Sequence, residues 1–455
     1  MSDTLMASVS GVRGIVGRDL TPELVARYAA AFGQLTRRPG SNSMLLGRDA
    51  RTSGSMLAAA VRAGLQSVGV NVIDCGLVPT PTLQLAVEHH GAGGGIVITA
   101  SHNPVEWNAL KFVGSDGLFL DSDAVARLFG LVESGEIDRS DWDGIGTLDH
   151  DDGAVSRHLD RVLESNMIDR ARIRARRFKV ALDCVCGAGG TIMPALLERL
   201  GCEVVGVSLE TDGRFPRAPE PVPENLSALA ALVQSSAADL GMAVDPDVDR
   251  MALLDELGRP IGEDYTLAFA VRAVLAQKLG VVATNLSTSL VVDDAADAFG
   301  AQLVRAPVGE ANVARAMRDC GAVIGGEGNG GVMLPDLHLG RDAPVAAALV
   351  LQLLTETGKS VAELVAAAPR YCIVKAKAGR GGELDEAYAR LEKRFPDAAV
   401  DRQDGLRLTW ADSWLHVRPS GTEPIVRFIA EATDEDTAGD LIEVARQALS
   451  AGDTD

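Results

Sequence analysis

Cysteines and aromatic residues are scarce in this chain. Phe, Trp and Tyr make up 4% of the 455 residues, so the cores must be built mainly from Ala, Val, Leu and Ile. The six cysteines are spread thinly and mostly lie inside apolar runs, which is typical of reduced thiols rather than of a disulfide framework. Cys184 and Cys186 flank Val185, but no second cysteine pair or nearby histidine completes a zinc site.

The sequence also lacks targeting and membrane segments. Residues 1–10 have no basic region followed by an apolar core, so we expect no signal peptide. No apolar run approaches the ~20 residues of a membrane helix, and the run 343–354 predicts a buried helix. The formal net charge of −20 disfavours nucleic acid or an anionic membrane as a partner. We therefore expect a cytoplasmic monomer or homodimer that binds a small molecule, with no nucleic acid and no membrane.

Apolar strands alternate with helical patterns through most of the chain. This alternation predicts an α/β fold with largely parallel sheets, and the length suits about three or four domains. In detail, the segment Ser156–Arg177 predicts one charged helix, and Ser289–Val292 predicts a strand. We expect three consecutive α/β domains with mixed, largely parallel sheets at 1–150, 151–260 and 261–368, and a smaller C-terminal α+β domain at 369–455.

A small hydroxyl residue follows a short buried strand. The strand is Ile96–Thr99, and Pro104 requires that the segment after it is a loop. Ser101 therefore lies just past a strand end, where a nucleophile or a phosphate carrier is often placed. The segment Ser-His-Asn-Pro is equally consistent with ordinary turn chemistry, so this stretch alone decides nothing.

Three aspartates alternate after a second buried strand. Asp245, Asp247 and Asp249 follow the apolar run 240–244, and side chains two apart in an extended segment point the same way. Three convergent carboxylates provide the hard oxygen ligands that Mg²⁺ prefers. An acidic surface loop or a helix N-cap run is the alternative, but Pro246 and the spacing favour a metal-binding loop.

Basic side chains complete the candidate chemistry, and most of them are arginines. Lys111 follows the serine loop and is a candidate phosphate ligand and proton donor or acceptor. The turn at Arg418, Ser420, Gly421 and Thr422 supplies a guanidinium, two hydroxyls and accessible backbone amides, which can clamp a phosphate.

Four separated motifs resemble those of the α-D-phosphohexomutases, the family of phosphoglucosamine mutase, phosphomannomutase and phosphoglucomutase. The resemblance runs over nearly the whole chain and implies four domains around a central cleft. The motifs are Thr99-Ala100-Ser101-His102-Asn103-Pro104, Asp245-x-Asp247-x-Asp249-Arg250, Gly326-Glu327-Gly328-Asn329-Gly330-Gly331 and Arg418-Pro419-Ser420-Gly421-Thr422-Glu423-Pro424.

The resemblance implies a reversible transfer of phosphate between O1 and O6 of a hexose phosphate. It implies a phosphoserine, bound Mg²⁺ and a hexose 1,6-bisphosphate as intermediate and activator. The four domains would carry, in order, the phosphoserine, the metal, the sugar-recognition loop and the phosphate clamp. The implied residues are Ser101, Lys111, Arg250, Arg13 and His102 for catalysis; Ser101, Asp245, Asp247 and Asp249 for the metal; Glu327, Asn329 and His338 for the sugar; and Arg418, Ser420, Gly421, Thr422 and Arg427 for phosphate.

The chain departs from the family pattern at three positions. Ala109 stands where many members have Gly, Asn329 where many have Ser, and Gly331 where many have His. The last exchange removes a proton-transfer residue of the family, so either His338 replaces it or His338 is a structural loop histidine. Arg51, like Arg48 beside it, is either part of the site or a structural ion-pair partner.

The same motifs limit the choice of sugar substrate. The variants Asn-Ala-Leu-Lys and Gly-Glu-Gly-Asn-Gly-Gly resemble the phosphoglucosamine mutase branch of the family more than its glucose or mannose enzymes, which implies conversion of glucosamine 6-phosphate to glucosamine 1-phosphate. The alternative is a phosphomannomutase/phosphoglucomutase of broad specificity. A sugar phosphatase would not need the distal clamp, and a non-catalytic sugar-phosphate-binding protein would not need Ser101, Lys111 and the aspartates intact.

Overall fold

The computed structural model describes residues 5–8, 11–37, 42–379, 384–420 and 425–450. These residues form four sheets that follow one another along the chain, each packed against helices. No helix within the described ranges is long and apolar enough to cross a membrane. All six cysteines are unpaired, and four of them are buried.

The first sheet has seven strands around an apolar centre. Its elements are β1 Met6–Ser8, β2 Gly11–Ile15, α1 Pro22–Thr36, β3 Ser43–Arg48, α2 Gly54–Gln66, β4 Asn71–Leu77, α3 Thr80–His90, β5 Gly94–Ile98, β6 Trp107–Gly114, α4 Ser122–Ser134 and β7 Leu148–His150. The strand order is β1-β2-β6-β5-β3-β4-β7. β5 is buried at every position and pairs in parallel with β3 and antiparallel with β6. The sheet is therefore mixed, with β5 at its centre.

The second sheet has four strands in the order β11-β10-β8-β9, of which only β11 is antiparallel. Its elements are α5 Ala154–Glu164, α6 Arg170–Arg176, β8 Lys179–Asp183, α7 Met193–Arg199, β9 Glu203–Val207, α8 Ser227–Ser236, β10 Leu240–Val244 and β11 Met251–Leu254. The prediction of one helix over 156–177 is wrong. Asp169 caps a new helix by accepting the backbone N–H of Arg172, and the turn before it buries Met167 and Ile168.

The third sheet has the order β13-β12-β14-β15. Its elements are α9 Asp264–Leu275, β12 Val282–Asn285, α10 Leu290–Asp297, β13 Leu303–Ala306, α11 Glu310–Cys320, β14 Ile324–Glu327, β15 Gly331–Met333, α12 Ala343–Thr357 and α13 Val361–Ala366. The predicted strand at Ser289–Val292 is instead the start of α10. The Ser289 side chain accepts the backbone N–H of Val291, so this β-branched run begins a capped helix.

The fourth sheet is antiparallel, in the order β16-β20-β19-β18-β17, and is covered by two helices. Its elements are β16 Cys372–Gly379, α14 Leu384–Arg394, β17 Ala399–Asp401, β18 Leu406–Thr409, β19 Trp414–Pro419, β20 Ile425–Ala432 and α15 Glu435–Ser450. This is the α+β arrangement that the sequence predicts for the C-terminal unit.

The four units do not share their cores equally. One continuous apolar cluster joins β8 and β10 of the second unit to α9 and α12 of the third unit. The fourth unit has an apolar cluster of its own. Its described contacts with the third unit include several polar ones: Glu431 accepts the backbone N–H of Leu290 at 2.8 Å, and Asp404 accepts that of Val308 at 3.1 Å. The fourth unit therefore has its own apolar core and contacts the third through several hydrogen bonds.

His416 is part of this contact and makes it sensitive to acid. The ring is fully buried; its Nε2–H donates to the Asp404 carbonyl oxygen at 2.7 Å, and its Nδ1 accepts from the Ser287 hydroxyl at 2.8 Å. Because Nε2 donates to a carbonyl, the neutral imidazole leaves Nδ1 free to accept from Ser287. Burial lowers the pKa of His416 to about 4.

We predict that this histidine makes the folded protein less stable in acid. Between pH 6.5 and about 4, the unfolded chain binds a proton here that the folded chain does not, so the free energy of unfolding falls by up to about 1.4 kcal/mol per pH unit. Urea unfolding between neutral pH and about pH 4.5 measures this slope, which His416→Gln should reduce. His89→Gln, on the exposed end of α3, should keep it; an unchanged slope in His416→Gln contradicts the prediction.

Candidate active site

Strand ends from three sheets meet at one cleft. Ser101 follows β5, the three aspartates follow β10, and Glu327 ends β14. The carboxyl ends of parallel strands are where α/β sheets collect their ligand-binding loops. The contacts described below join these three loops directly, so the first three units share one site.

The loop that carries Ser101 is held by the side chain of Arg51. This side chain is completely buried and pairs with Asp49, with 3.1 Å between Nε and Oδ2. Its two Nη atoms donate at 2.6–3.0 Å to four backbone carbonyls of the loop, those of Ser101, Asn103, Pro104 and Trp107. A planar guanidinium with five donors thus pairs with Asp49 through Nε and fixes the backbone of Ser101 and of the loop after it through both Nη atoms.

Ser101 itself has an uncommon backbone conformation. Its φ is 48°, a left-handed value that a serine adopts only when the surroundings impose it, and the residue is 3% exposed. Its Oγ lies 2.9 Å from Oδ2 of Asp245 and 3.3 Å from Nδ1 of His102. The loop therefore aims the serine oxygen at the aspartates of the second unit.

The three aspartates converge as their spacing predicts. Asp245, Asp247 and Asp249 are fully buried, and one oxygen of each lies within 4.8 Å of the others. Oδ1 of Asp247 and Oδ1 of Asp249 have no hydrogen-bond partner in the described part of the chain. Buried carboxylate oxygens without donors are costly, and a divalent cation would satisfy them. These residues can therefore hold a metal ion.

Lys111 and Thr80 position the middle aspartate. Nζ of Lys111 lies 2.6 Å from Oδ2 of Asp247, and the Thr80 hydroxyl donates to the same oxygen at 2.8 Å. Burial acts to lower the pKa of Lys111, but the charges of Asp247 and Asp249 outweigh it and raise that pKa. Burial together with Asp249 and Asp247 raises the pKa of Asp245 well above its usual range. Lys111 is therefore a fixed ammonium beside Asp247 and Asp249.

Three further residues predicted for catalysis lie around the serine loop. Arg13, on β2, donates to the side chain of Asn103. Arg250 is held only loosely, at 3.6 Å from Glu220 and 3.7 Å from Asp249, and its buried Nε makes no hydrogen bond with any described residue. Burial lowers the pKa of His102 well below its usual value, so this imidazole is neutral at pH 7. A donor without a partner and a neutral nitrogen are both available to an incoming phosphate ester.

Glu327 is bound tightly within the protein. Its Oε1 accepts from Asn285 Nδ2 at 2.8 Å and from the backbone N–H of Gly309 at 3.0 Å, and its Oε2 accepts from Arg341 Nη1 at 2.5 Å. Asn329 is half-buried and accepts the backbone N–H of Gly331 at 3.3 Å, which shapes the turn after β14. The predicted sugar loop is thus preformed.

The structure gives His338 a structural role. It is 5% exposed, its Nε2 lies 2.8 Å from Asp342, and its Nδ1 accepts the backbone N–H of Gly340 at 3.2 Å. Asp342 also binds Nε2 of His158 at 2.7 Å, and that ring reaches Thr82 on α3. Both ring nitrogens of His338 are therefore engaged within the protein, as the structural alternative predicts, and its contact with a sugar stays a prediction.

The predicted phosphate clamp is described only in part. Nε of Arg418 lies 2.8 Å from Asp404, and Asp404 also accepts the N–H of Val308, next to the Gly309 that binds Glu327. Arg418 is therefore connected to the sugar loop through Asp404 and the backbone of Val308 and Gly309. Ser420 and Arg427 also make contacts within the protein. Gly421 and Thr422 lie outside the described residues.

Four family profiles match consecutive parts of the chain. They are described as phosphoglucomutase/phosphomannomutase alpha/beta/alpha domain I, domain II, domain III and C-terminal domain, and they match residues 6–137, 156–258, 262–371 and 372–448. The chain belongs to the α-D-phosphohexomutase family. It is therefore an enzyme of the isomerase class, a phosphohexomutase.

Named relatives and a solved structure agree with this assignment. A phosphoglucomutase/phosphomannomutase of Thermococcus kodakarensis is 39% identical over 445 residues, 96% of this chain and 97% of the relative. A probable phosphoglucosamine mutase of Methanopyrus kandleri is 39% identical over 437 residues, 95% of each. The crystal structure of a phosphoglucomutase/phosphomannomutase family protein from Burkholderia thailandensis superposes with a TM-score of 0.87 at 26% identity, covering 100% of this chain and 98% of that one.

Sequence reasoning missed several residues of this phosphohexomutase site. It left Arg51 undecided and did not consider Thr80 or Arg341. Arg51 lies 50 residues before Ser101, and Arg341 lies 92 residues after Asp249, so no local spacing reveals either contact. The one usable signal was Gly331, which stands where many family members have His.

We predict that Arg51→Lys lowers kcat of the phosphohexomutase by about 10²-fold. A lysine cannot donate to four carbonyls and pair with an aspartate at once, so the Ser101 loop shifts. Steady-state kinetics on glucose 1-phosphate with Mg²⁺ and glucose 1,6-bisphosphate measures this. Arg62→Lys, in a half-buried ion pair with Asp74, should leave kcat unchanged. A normal kcat in Arg51→Lys would show that the clamp is dispensable.

A second prediction concerns the aspartates. Titration calorimetry with Mn²⁺ should show one site, weakened at least about tenfold in Asp247→Asn and unaffected in Asp255→Asn, whose side chain binds Arg259 in a turn. Because the pKa of Asp245 is raised, the cation must displace a proton, so affinity should rise with pH. Equal Mn²⁺ affinity of Asp247→Asn and the wild type would show that the metal does not bind at this cluster.

Proposed function

We propose that this phosphohexomutase transfers a phosphoryl group between O1 and O6 of a hexose through a phosphoserine at Ser101. The observation that carries the proposal is the strained, clamped Ser101 with its Oγ 2.9 Å from Oδ2 of Asp245, one of the three buried aspartates. Backbone strain at a buried serine costs free energy, and it is retained where a reacting oxygen must be aimed.

The proposed step exchanges two P–O bonds. The bond between phosphorus and Oγ of Ser101 breaks as a bond forms to the sugar hydroxyl, and the hydroxyl proton leaves to a nearby acceptor. His102, neutral and 3.3 Å from Oγ, is the nearest described nitrogen able to accept it. Lys111 stays protonated and stabilises the negative oxygens of the transferring group, together with the loosely held Arg250.

Magnesium fits the donor set of the site. Asp245, Asp247 and Asp249 would hold it together with an oxygen of the seryl phosphate, and it would offset negative charge on the phosphoryl group. A phosphoserine adds a charge of about −1.5 to −2, which the three carboxylates could not tolerate without a cation.

The second phosphate of the intermediate needs a separate binding site. Arg418 lies near the sugar loop. Arg427 is opposite Arg418 in the register of the antiparallel strands β19 and β20. We propose that these residues, with Ser420, Gly421 and Thr422, hold the phosphate that does not react, while Glu327 and Asn329 bind the sugar. The hexose 1,6-bisphosphate then turns over and presents its other phosphate to Ser101.

For the sugar, glucosamine phosphate is our first choice. It is supported by the motif variants in the serine and sugar loops and by the Methanopyrus kandleri relative, named a probable phosphoglucosamine mutase. The equally similar Thermococcus kodakarensis relative, named a phosphoglucomutase/phosphomannomutase, favours a mutase of broad specificity as the second candidate.

The test compares kcat/KM on the 6-phosphates of glucosamine, glucose and mannose, with Mg²⁺ and a bisphosphate primer. We expect glucosamine 6-phosphate to be preferred and Ser101→Ala to lose activity by about 10⁴-fold or more. Intact-protein mass should show one phosphate on the wild type and none on Ser101→Ala. Ser236→Ala, on α8, is the matched control.

The outcomes separate the candidates. Similar kcat/KM on glucose and mannose esters replaces the glucosamine assignment with a broad mutase. Steady release of inorganic phosphate would indicate a phosphatase. Activity that survives in Ser101→Ala overturns the phosphoserine mechanism.

A further inference from the structure

Arg341 lies at the centre of a buried acidic cluster that joins two motifs. The residue is 7% exposed. Its Nη2 donates to Oδ2 of Asp249 and its Nη1 to Oε2 of Glu327, while its Nε lies 3.2 Å from Oε2 of Glu310. One guanidinium therefore binds an aspartate of the metal cluster and the carboxylate of the sugar loop at the same time.

The path of this side chain is opened by a glycine. A Cβ added to Gly331 would lie 2.2 Å from Cδ and 2.9 Å from Cγ of Arg341. The backbone of Gly331 is ordinary strand β15 and lacks the positive φ that would require glycine. The glycine is thus explained by space: the stem of Arg341 passes through the volume that any side chain at position 331 would fill.

We propose that Arg341, in the space left by Gly331, is a positioning residue that fixes Glu327 for sugar-phosphate binding and ties it to Asp249. Without this guanidinium, Oε2 of Glu327 loses its described donor, and a buried negative charge is left beside a dianionic substrate. Both effects weaken substrate binding. The site residue paired with Gly331 is therefore Arg341 rather than His338.

Geometry makes arginine specific here. Its planar group presents donors in fixed directions, so it can span Asp249 and Glu327, whereas a lysine ammonium is a single point of charge on a flexible stem. Arg341→Lys keeps the charge but loses the simultaneous contact. We expect this variant to raise KM for the sugar phosphate by about fivefold or more.

The decisive experiment is a double-mutant cycle of Gly331→Ala, Arg341→Ala and both together. Gly331→Ala keeps every charged group, and its added Cβ meets the stem of Arg341 far more closely than the next atom, Oδ1 of Asn329 at 3.2 Å, so it remains informative if Arg341→Ala folds poorly. We expect Gly331→Ala to raise KM and the calorimetric Kd for glucosamine 6-phosphate about fivefold in the wild type. In the Arg341→Ala background, where Cγ and Cδ are gone, it should change them less than twofold.

The proposal rests on the proposed mutase function, and the controls separate the two. Gly130→Ala, with no atom near its Cβ, and Arg318→Met, in an exposed ion pair with Asp116, should leave KM and kcat unchanged. Thermal unfolding of each variant shows whether it is folded. Additive effects of Gly331→Ala and Arg341→Ala, or a normal KM and Kd in Gly331→Ala, overturn the proposal while the Ser101-dependent activity of the wild type stands.

Discussion

Five buried carboxylates that face one another repel, and the arrangement of the site follows from this repulsion. Asp245, Asp247, Asp249, Glu310 and Glu327 lie in a cleft where water cannot screen them well. Lys111 and Arg341 neutralise part of this charge, and a divalent cation can neutralise more. This concentration of negative charge creates a site that binds cations, because only positive groups placed among the carboxylates can neutralise them.

Each part of this balance comes from a different unit. The first sheet provides Lys111 and Ser101, the second the aspartates, and the third Glu327 and Arg341. In an isolated unit, the charged side chains would lose their partners in the other units, and they would be either buried without compensation or exposed to water. The chemistry therefore belongs to the assembled chain, and the shared apolar core of the second and third units keeps the metal loop and the sugar loop in register.

The sequence predicted those site residues whose positions are determined by their neighbours in the chain. Ser101 and the three aspartates were found because a strand end, a proline and a two-residue spacing determine where such side chains point. Arg51 and Arg341 were not, because their contacts join loops far apart in the chain. Ser289 shows the opposite error: one capping hydroxyl turned an apolar run that is typical of a strand into the first turn of α10. His338 was left open between a sugar ligand and a structural loop histidine, because a histidine in a loop is equally common as a bridge between packed elements.

The separate core of the fourth unit has a consequence for its attachment to the third unit. Releasing that unit from the third would break hydrogen bonds such as those of Glu431 and His416, while both apolar interiors stay closed. If the fourth unit separated from the third, the free energy of that opening would be set by the hydrogen bonds between the units rather than by either apolar core. Substitutions at these hydrogen bonds would then change that free energy while the packing inside each core stays the same.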